Sequence, residues 1–268
     1  MRIKKEKIST EYKMKYSIWY HVLPFLSIGL LIAVWYLGSS SNPMIFPTPN
    51  TVLRRMIELS QNKLSGYTLI GHMGVSLLRV AVSLGLAIII GVPLGVLIGW
   101  SRGVRATIGA VFECIRPIPM LAWIPLMVMW FGIGEKSKII MIFMAALMPI
   151  VVNSYTGIKM ISPLYLDVGK MFNASTEWQL LRSIVLPAAL PTIFAGIRNA
   201  TSMALMVVLA AEMIAARAGL GFLINRGMEV FDVSLVMSGM VAIGVTGALV
   251  AVLTNFIERK LCPWNRSI

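Results

Sequence analysis

The chain has 268 residues, of which 57% are hydrophobic, and carries a formal net charge of +13. Such a composition excludes a soluble domain built around one core. The positive charge has two readings, a nucleic-acid partner or a membrane topology, and its distribution along the chain decides between them.

Residues 1–16 form a basic segment, with six Lys/Arg before Ser17. The run Ile18–Gly38 then contains no charged residue and reaches the ~20 residues that cross a bilayer as a helix. It exceeds a signal-peptide core and no A-x-A site follows, so a retained span over about 18–38 is expected. After it comes SNPMIFPTPNTVLRRMIELS. Thr48 can cap a helix whose first residue is Pro49. Val52, Leu53, Met56 and Ile57 would share one face, opposite Arg54, Arg55 and Glu58, as an amphipathic collar on the outer surface.

A second span is expected over 76–100, where Gly91, Gly95 and Gly99 form a ridge for close helix approach and Pro93 should bend the helix. The third, 106–131, holds Pro117, Pro119 and Pro125, which cannot share one straight helix. Broken backbone at membrane depth is tolerated where it is buried in protein or lines a cavity. Glu113 and Arg116, three apart, can pair on a face turned to the bundle interior. A fourth span covers 138–159.

Residues 160–187 interrupt the apolar pattern. Their core, DVGKMFNASTEWQLLRSIVLP at Asp167–Pro187, is polar and partly basic, long for a loop between spans, and suited to contact another protein. The fifth span, 188–215, is rich in Ala, Gly, Ser and Met, with Arg198, Asn199 and Met203 toward its start and Glu212 near its end. Its methionines suit either an adaptable lining or ordinary core filling. Gly219 and Gly221 allow a sharp turn before a short amphipathic piece, the last span at 233–257, and a tail over 261–268. Residues 17–260 thus read as a single all-α polytopic membrane domain of about six helices.

With a cytoplasmic N-terminus, inside segments hold fourteen Lys/Arg and outside segments seven. Positive charge follows the inside rule; both termini are then cytoplasmic and no nucleic acid is required. No GxxxxGK[ST] loop occurs, and GIGEKS at Gly132–Ser137 has the wrong glycine spacing. Cys114 and Cys262 fall in different environments, and His21 and His72 are too few for a metal cluster. No catalytic set is present. A chain of this kind conducts, carries or anchors something, and any nucleotide energy comes from a partner.

The interval at Asp167–Pro187 resembles the cytoplasmic EAA loop of ABC-importer permeases, E-A-A-x3-G followed by I-x-L-P. Asp167, Val168 and Gly169 take the E-A-A places, Asn173 the glycine, and Ile184, Leu186 and Pro187 the ending, with one residue more than the pattern before Ile184. Asn is the next-best residue for the left-handed conformation that ends a helix. PTPNTV at Pro47–Val52, Arg116–Ile139, Trp178–Pro191 and Ala211–Ile224 extend the resemblance to the nitrate/sulfonate/taurine-type permeases. It implies a type I ABC-importer permease fold, working as a dimer (a homodimer favoured) in the cell membrane. Cytoplasmic ATPase subunits would bind ATP and magnesium, and an extracytoplasmic binding protein would deliver a small anion. This chain itself would hold no cofactor and perform no catalysis. A short helix between Asp167 and about Trp178 would enter the ATPase, with Lys170 and Glu177 exposed for contact. Arg116, Arg198, Asn199 and Met203 are pathway candidates, and the two arginines equally suit structural ion pairs. The competing readings are an ion-gradient-driven secondary transporter or channel, and a non-transport scaffold.

Overall fold

The computed structural model describes residues 22–40, 45–171 and 176–265. The basic segment 1–16, the start of the first span with His21, and Asn173 lie outside the described residues. The rest is helical, with no strand among the described residues.

Helix α1 is Val22–Ser40, and nearly all of its apolar surface is exposed. Its contact with the body includes a hydrogen bond from Trp35 Nε1 to the Pro47 carbonyl at 3.0 Å. Helix α2, Pro49–Gln61, begins as expected, with Thr48 Oγ1 accepting from the Thr51 amide at 3.3 Å. Its inward face differs from the expectation. Val52 and Leu59 are buried and Met56 half-buried, whereas Leu53 and Ile57 are 56% and 50% exposed. Arg55, expected outward, pairs with Asp232 at 2.8 Å. That tether turns the 52–56–59 seam inward and leaves Leu53 and Ile57 outside.

Helix α3, Leu69–Trp100, starts two turns earlier than the apolar run suggested, capped by Thr68. Helix α4, Arg102–Ile115, contains a π-helical segment at Arg105–Gly109, and α5 is Met120–Phe131. The axes of α4 and α5 meet at 86°. Pro117 and Pro119 sit at the break, while Pro125 falls in the first turn of Ile124–Phe131, where its missing N–H has no helical partner to lose. Among the described residues five helices are long and apolar enough to cross a membrane, giving six spans if α4 and α5 form one broken span.

Helix α6 is Glu135–Lys159, α7 is Pro163–Met171, α8 is Glu177–Ile214, α9 is Leu220–Glu229 and α10 is Val233–Leu261. Two further expectations shift here. The short helix lies at Pro163–Met171 rather than between Asp167 and Trp178, and the fifth apolar helix begins at Glu177. Thr176 explains the second shift, because it forms a capping box with Gln179. Residues 177–187 are thereby the first turns of α8, with a π-helical segment at Leu181–Val185.

The centre is α6 packed between α3, parallel to it, and α8, antiparallel. Ile142, Ala146 and Ile150 of α6 are fully buried against Val80 and Ala87 on one side and Ala200, Ala204 and Val208 on the other. The glycine ridge of α3 meets α6 along its length. A Cβ on Gly95 would lie 2.6 Å from the Val151 carbonyl oxygen, and one on Gly99 2.7 Å from Ile158 Cβ. On the opposite face, Gly196 of α8 admits Asn153 at the same separation. With no hydrophobic drive between helices in lipid, such backbone proximity supplies the dispersion contact that holds them together.

Candidate functional site

Two ends of the bundle carry the polar chemistry. At the end where α7 lies, Pro163 opens a short helix whose Leu164, Tyr165, Val168 and Met171 are exposed, Met171 by 86%. Trp178, at the start of α8, is also exposed. Gly169 is the buried residue of α7: a Cβ there would lie 2.9 Å from Leu180 Cδ2 and nearer still to Ile184. A glycine thus lets α7 lie flat on the π-helical turn of α8. Asp167 and Lys170 approach to 4.0 Å with both side chains mostly exposed, a pair that contributes little. Glu177 is exposed, while Ile184, Leu186 and Pro187 are half-buried in α8. The expected coupling residues therefore divide between α7 and the foot of α8.

The pathway candidates are scattered. Arg116 pairs with Glu113 at 3.6 Å as expected, but both side chains are at least half exposed rather than turned into the bundle. The break at Pro117 carries them off the packed core. Arg198 is ion-paired to Glu258 of α10. Asn199 and Met203 are exposed, and with Ser202 and Met206 they form an i, i+3, i+4, i+7 stripe on α8 that none of the described residues covers.

The other end, where α9 lies, holds a cluster that reading the sequence left unassembled. Glu212, 1% exposed, and Arg79, 6% exposed, pair at 2.6 Å. Arg79 also grips Glu135 through two hydrogen bonds of 2.7 Å, and Lys138 reaches Glu135 at 2.9 Å. Two cations and two carboxylates balance, so burial here leaves no uncompensated charge. The network also pins the segment between α8 and α9. Arg79 donates to the Ala218 carbonyl, the Leu220 amide donates to Ser76 Oγ, and the Gly221 amide donates to Glu212. Ser76 in turn donates to Glu212 at 2.8 Å.

His72 completes the cluster. Its Nδ1 accepts from the Gly219 amide at 3.0 Å, so Nε2 carries the proton and donates to the Leu64 carbonyl, also at 3.0 Å. Gly219 has φ of +127°, and a Cβ there would fall on the Glu212 carboxylate. The turn expected at Gly219 thus exists to admit that carboxyl group. Chemically this is a clasp joining α3, α6, α8 and the α9 turn. The visible signal was a set of charges at the edges of apolar runs, Arg79, Glu135 and Glu212, at helix positions whose neighbours could not be known without the packing. Among the described residues no group of His, Cys, Asp or Glu could hold a metal.

Comparison with known proteins places these features in a family. Residues 91–267 match the family model described as the binding-protein-dependent transport system inner membrane component. The chain is 33% identical over 250 residues to the taurine transport system permease protein TauC of Escherichia coli (strain K12), covering 91% of this chain and 90% of that protein. It is 31% identical to the nitrate import permease protein NrtB of Synechocystis sp. (strain ATCC 27184 / PCC 6803 / Kazusa), covering 98% of this chain and 95% of that one. The putative aliphatic sulfonates transport permease protein SsuC of Bacillus subtilis (strain 168) is 31% identical, with coverage of 89% and 86%. Among solved structures, a chain of the inward-facing MetNI methionine ABC transporter superimposes with a TM-score of 0.62 at 20% identity, over 77% of this chain and 98% of that one.

Proposed function

Because the chain belongs to the family of binding-protein-dependent transport system inner membrane components, and is an ABC-importer permease, we propose that its α7 end faces the cytoplasm and receives an ATPase subunit. The observation that carries this is the exposed apolar face of α7 with Trp178 beside it. A short helix with four large apolar side chains in water is unstable alone and gains by entering a cleft. Charge agrees, since Lys159, Lys170, Arg182, Arg259 and Lys260 lie toward this end.

ATP-driven closure of two ATPases would draw two copies of α7 together, and α8 would carry that displacement across the membrane. Two copies of this chain would enclose the pathway, with the Asn199–Met206 stripe of α8 facing the space between them. The solute is a small anion of the sulfonate, taurine or nitrate kind, matching the relatives named above, and an extracytoplasmic binding protein selects it. Arg198, held by Glu258, contributes positive potential rather than a direct ligand contact.

Met171→Asp and Val168→Asp should each abolish co-purification of the ATPase while leaving membrane insertion intact. In proteoliposomes holding the permease, its ATPase and its binding protein, uptake of taurine, an alkanesulfonate or nitrate should require internal ATP. Uptake that follows an ion gradient without ATP overturns the reading.

A further inference from the structure

Where the end of α3 and the end of α6 meet the start of α4, cations gather. The Arg105 guanidinium carbon stands 5.6 Å from the centroid of the Tyr155 ring. Lys159 Nζ lies 5.5 Å from the same centroid and 3.1 Å from the Tyr155 hydroxyl. Arg102 is exposed one turn before Arg105. None of the three has an ion-pair partner among the described residues. Arg105 donates to the Ile98 and Gly99 carbonyls and Lys159 to the Tyr155 hydroxyl, neutral acceptors that hold both side chains in place and leave their positive charges uncompensated.

A cavity of about 200 Å³ opens at the same place, lined by Arg105 and Tyr155 and, on its apolar side, by Ile98, Phe112, Val151 and Val152. Its one carboxylate, Glu113, is engaged by Arg116. The π-helical segment that starts at Arg105 is a wide turn of the kind found at functional sites. The cavity is smaller than the ~300–1,000 Å³ pockets that enclose whole small molecules. It therefore accepts one apolar end of a larger molecule whose charged part stays at the rim. Trp100 and Tyr155 at this level are residues that favour the lipid headgroup zone.

We propose that this is a binding site for an anionic phospholipid, the phosphate seated between Arg105 and Lys159 and part of one acyl chain in the cavity. Basic pockets between helices at the cytoplasmic membrane surface take such headgroups. The proposal rests on the membrane placement given above for the α7 end.

The test uses the full-length permease in phosphatidylcholine nanodiscs with trace spin-labelled phosphatidylglycerol or spin-labelled phosphatidylcholine. The motionally restricted fraction should favour phosphatidylglycerol, and Lys159→Gln, which leaves every backbone hydrogen bond in place, should lower that preference on the order of fivefold. Arg105→Gln should act in the same direction, and millimolar glycerol 1-phosphate should displace nothing. Equal restriction of both lipids, or a preference untouched by both substitutions, refutes the site. Displacement by glycerol 1-phosphate assigns it to a soluble phosphate, and a disulfide between two copies of Val152→Cys assigns the groove to a second permease; either overturns the lipid. The readout is lipid mobility, so its failure leaves the transport reading standing, and failed transport with intact lipid preference strikes only the latter.

Discussion

Truncating Glu212 to alanine removes the acceptor on which Ser76, Arg79 and the Gly221 amide converge. Ser76 still receives the Leu220 amide, and Arg79 keeps Glu135 and the Ala218 carbonyl. The buried Gly221 N–H is left without a partner, worth about 1–3 kcal/mol. Breaking a buried pair by deleting one member costs about 3–5 kcal/mol, and the two contributions overlap. A loss of about 3–5 kcal/mol is therefore expected for Glu212→Ala, and a similar one for Arg79→Ala, which strands a fully buried carboxylate. Glu135 has a side chain 58% exposed, but its removal leaves Lys138, 4% exposed, without its ion-pair partner, so Glu135→Ala should cost ~1–3 kcal/mol, less than Glu212→Ala. Unfolding by SDS in mixed micelles, followed by tryptophan fluorescence, measures all three. The double variant should lose less than the sum of the two singles by ~1–3 kcal/mol, because the two side chains share partners. A Glu212→Ala protein within ~0.5 kcal/mol of the parent, or a Glu135→Ala protein less stable than Glu212→Ala, would refute the clasp.

Gly95→Ala should destabilise by ~1–3 kcal/mol, since its Cβ meets the Val151 carbonyl and Ser154 at 2.6 Å, whereas Gly85→Ala, facing open space, should be neutral or stabilising by ~1 kcal/mol in the same unfolding assay. Gly169→Val should lift α7 from Leu180 and Ile184 and lower binding-protein-stimulated ATPase activity at unchanged permease levels; full stimulation refutes the packing role. Arg116→Gln with Arg198→Gln should lower the uptake rate of an anion at low salt more than at high salt. A rate unchanged at both ionic strengths excludes a contribution to the pathway field.

Apolar runs and prolines made most of the helices legible. The charge-free run at Val233–Ile257 became α10, and Pro117 with Pro119 became the break. The glycine ridge announced the α3–α6 contact without naming its partner. What stayed hidden was rotation and register. The five apolar residues of α2 fit two overlapping faces, and the long-range tether from Arg55 to Asp232 chooses between them. Thr176 reads as part of a polar loop because its capping box places polar residues directly against the start of an apolar helix. Glu212 lies 133 residues from Arg79, and no local pattern in the chain could join them.

Helix α8 is a single run of 38 residues from Glu177 to Ile214, about 57 Å long at 1.5 Å per residue. It begins beside α7 and ends beside Glu212. Its π-helical turn near the foot widens the spiral without interrupting it. A load applied at the foot therefore reaches the far end as axial thrust, with no slack loop in which to dissipate. There it meets a carboxylate bolted to Arg79 of α3 and, through Arg79, to Glu135 of α6. The stroke of the motor would be shared among three helices at the membrane face opposite to the one where it was delivered.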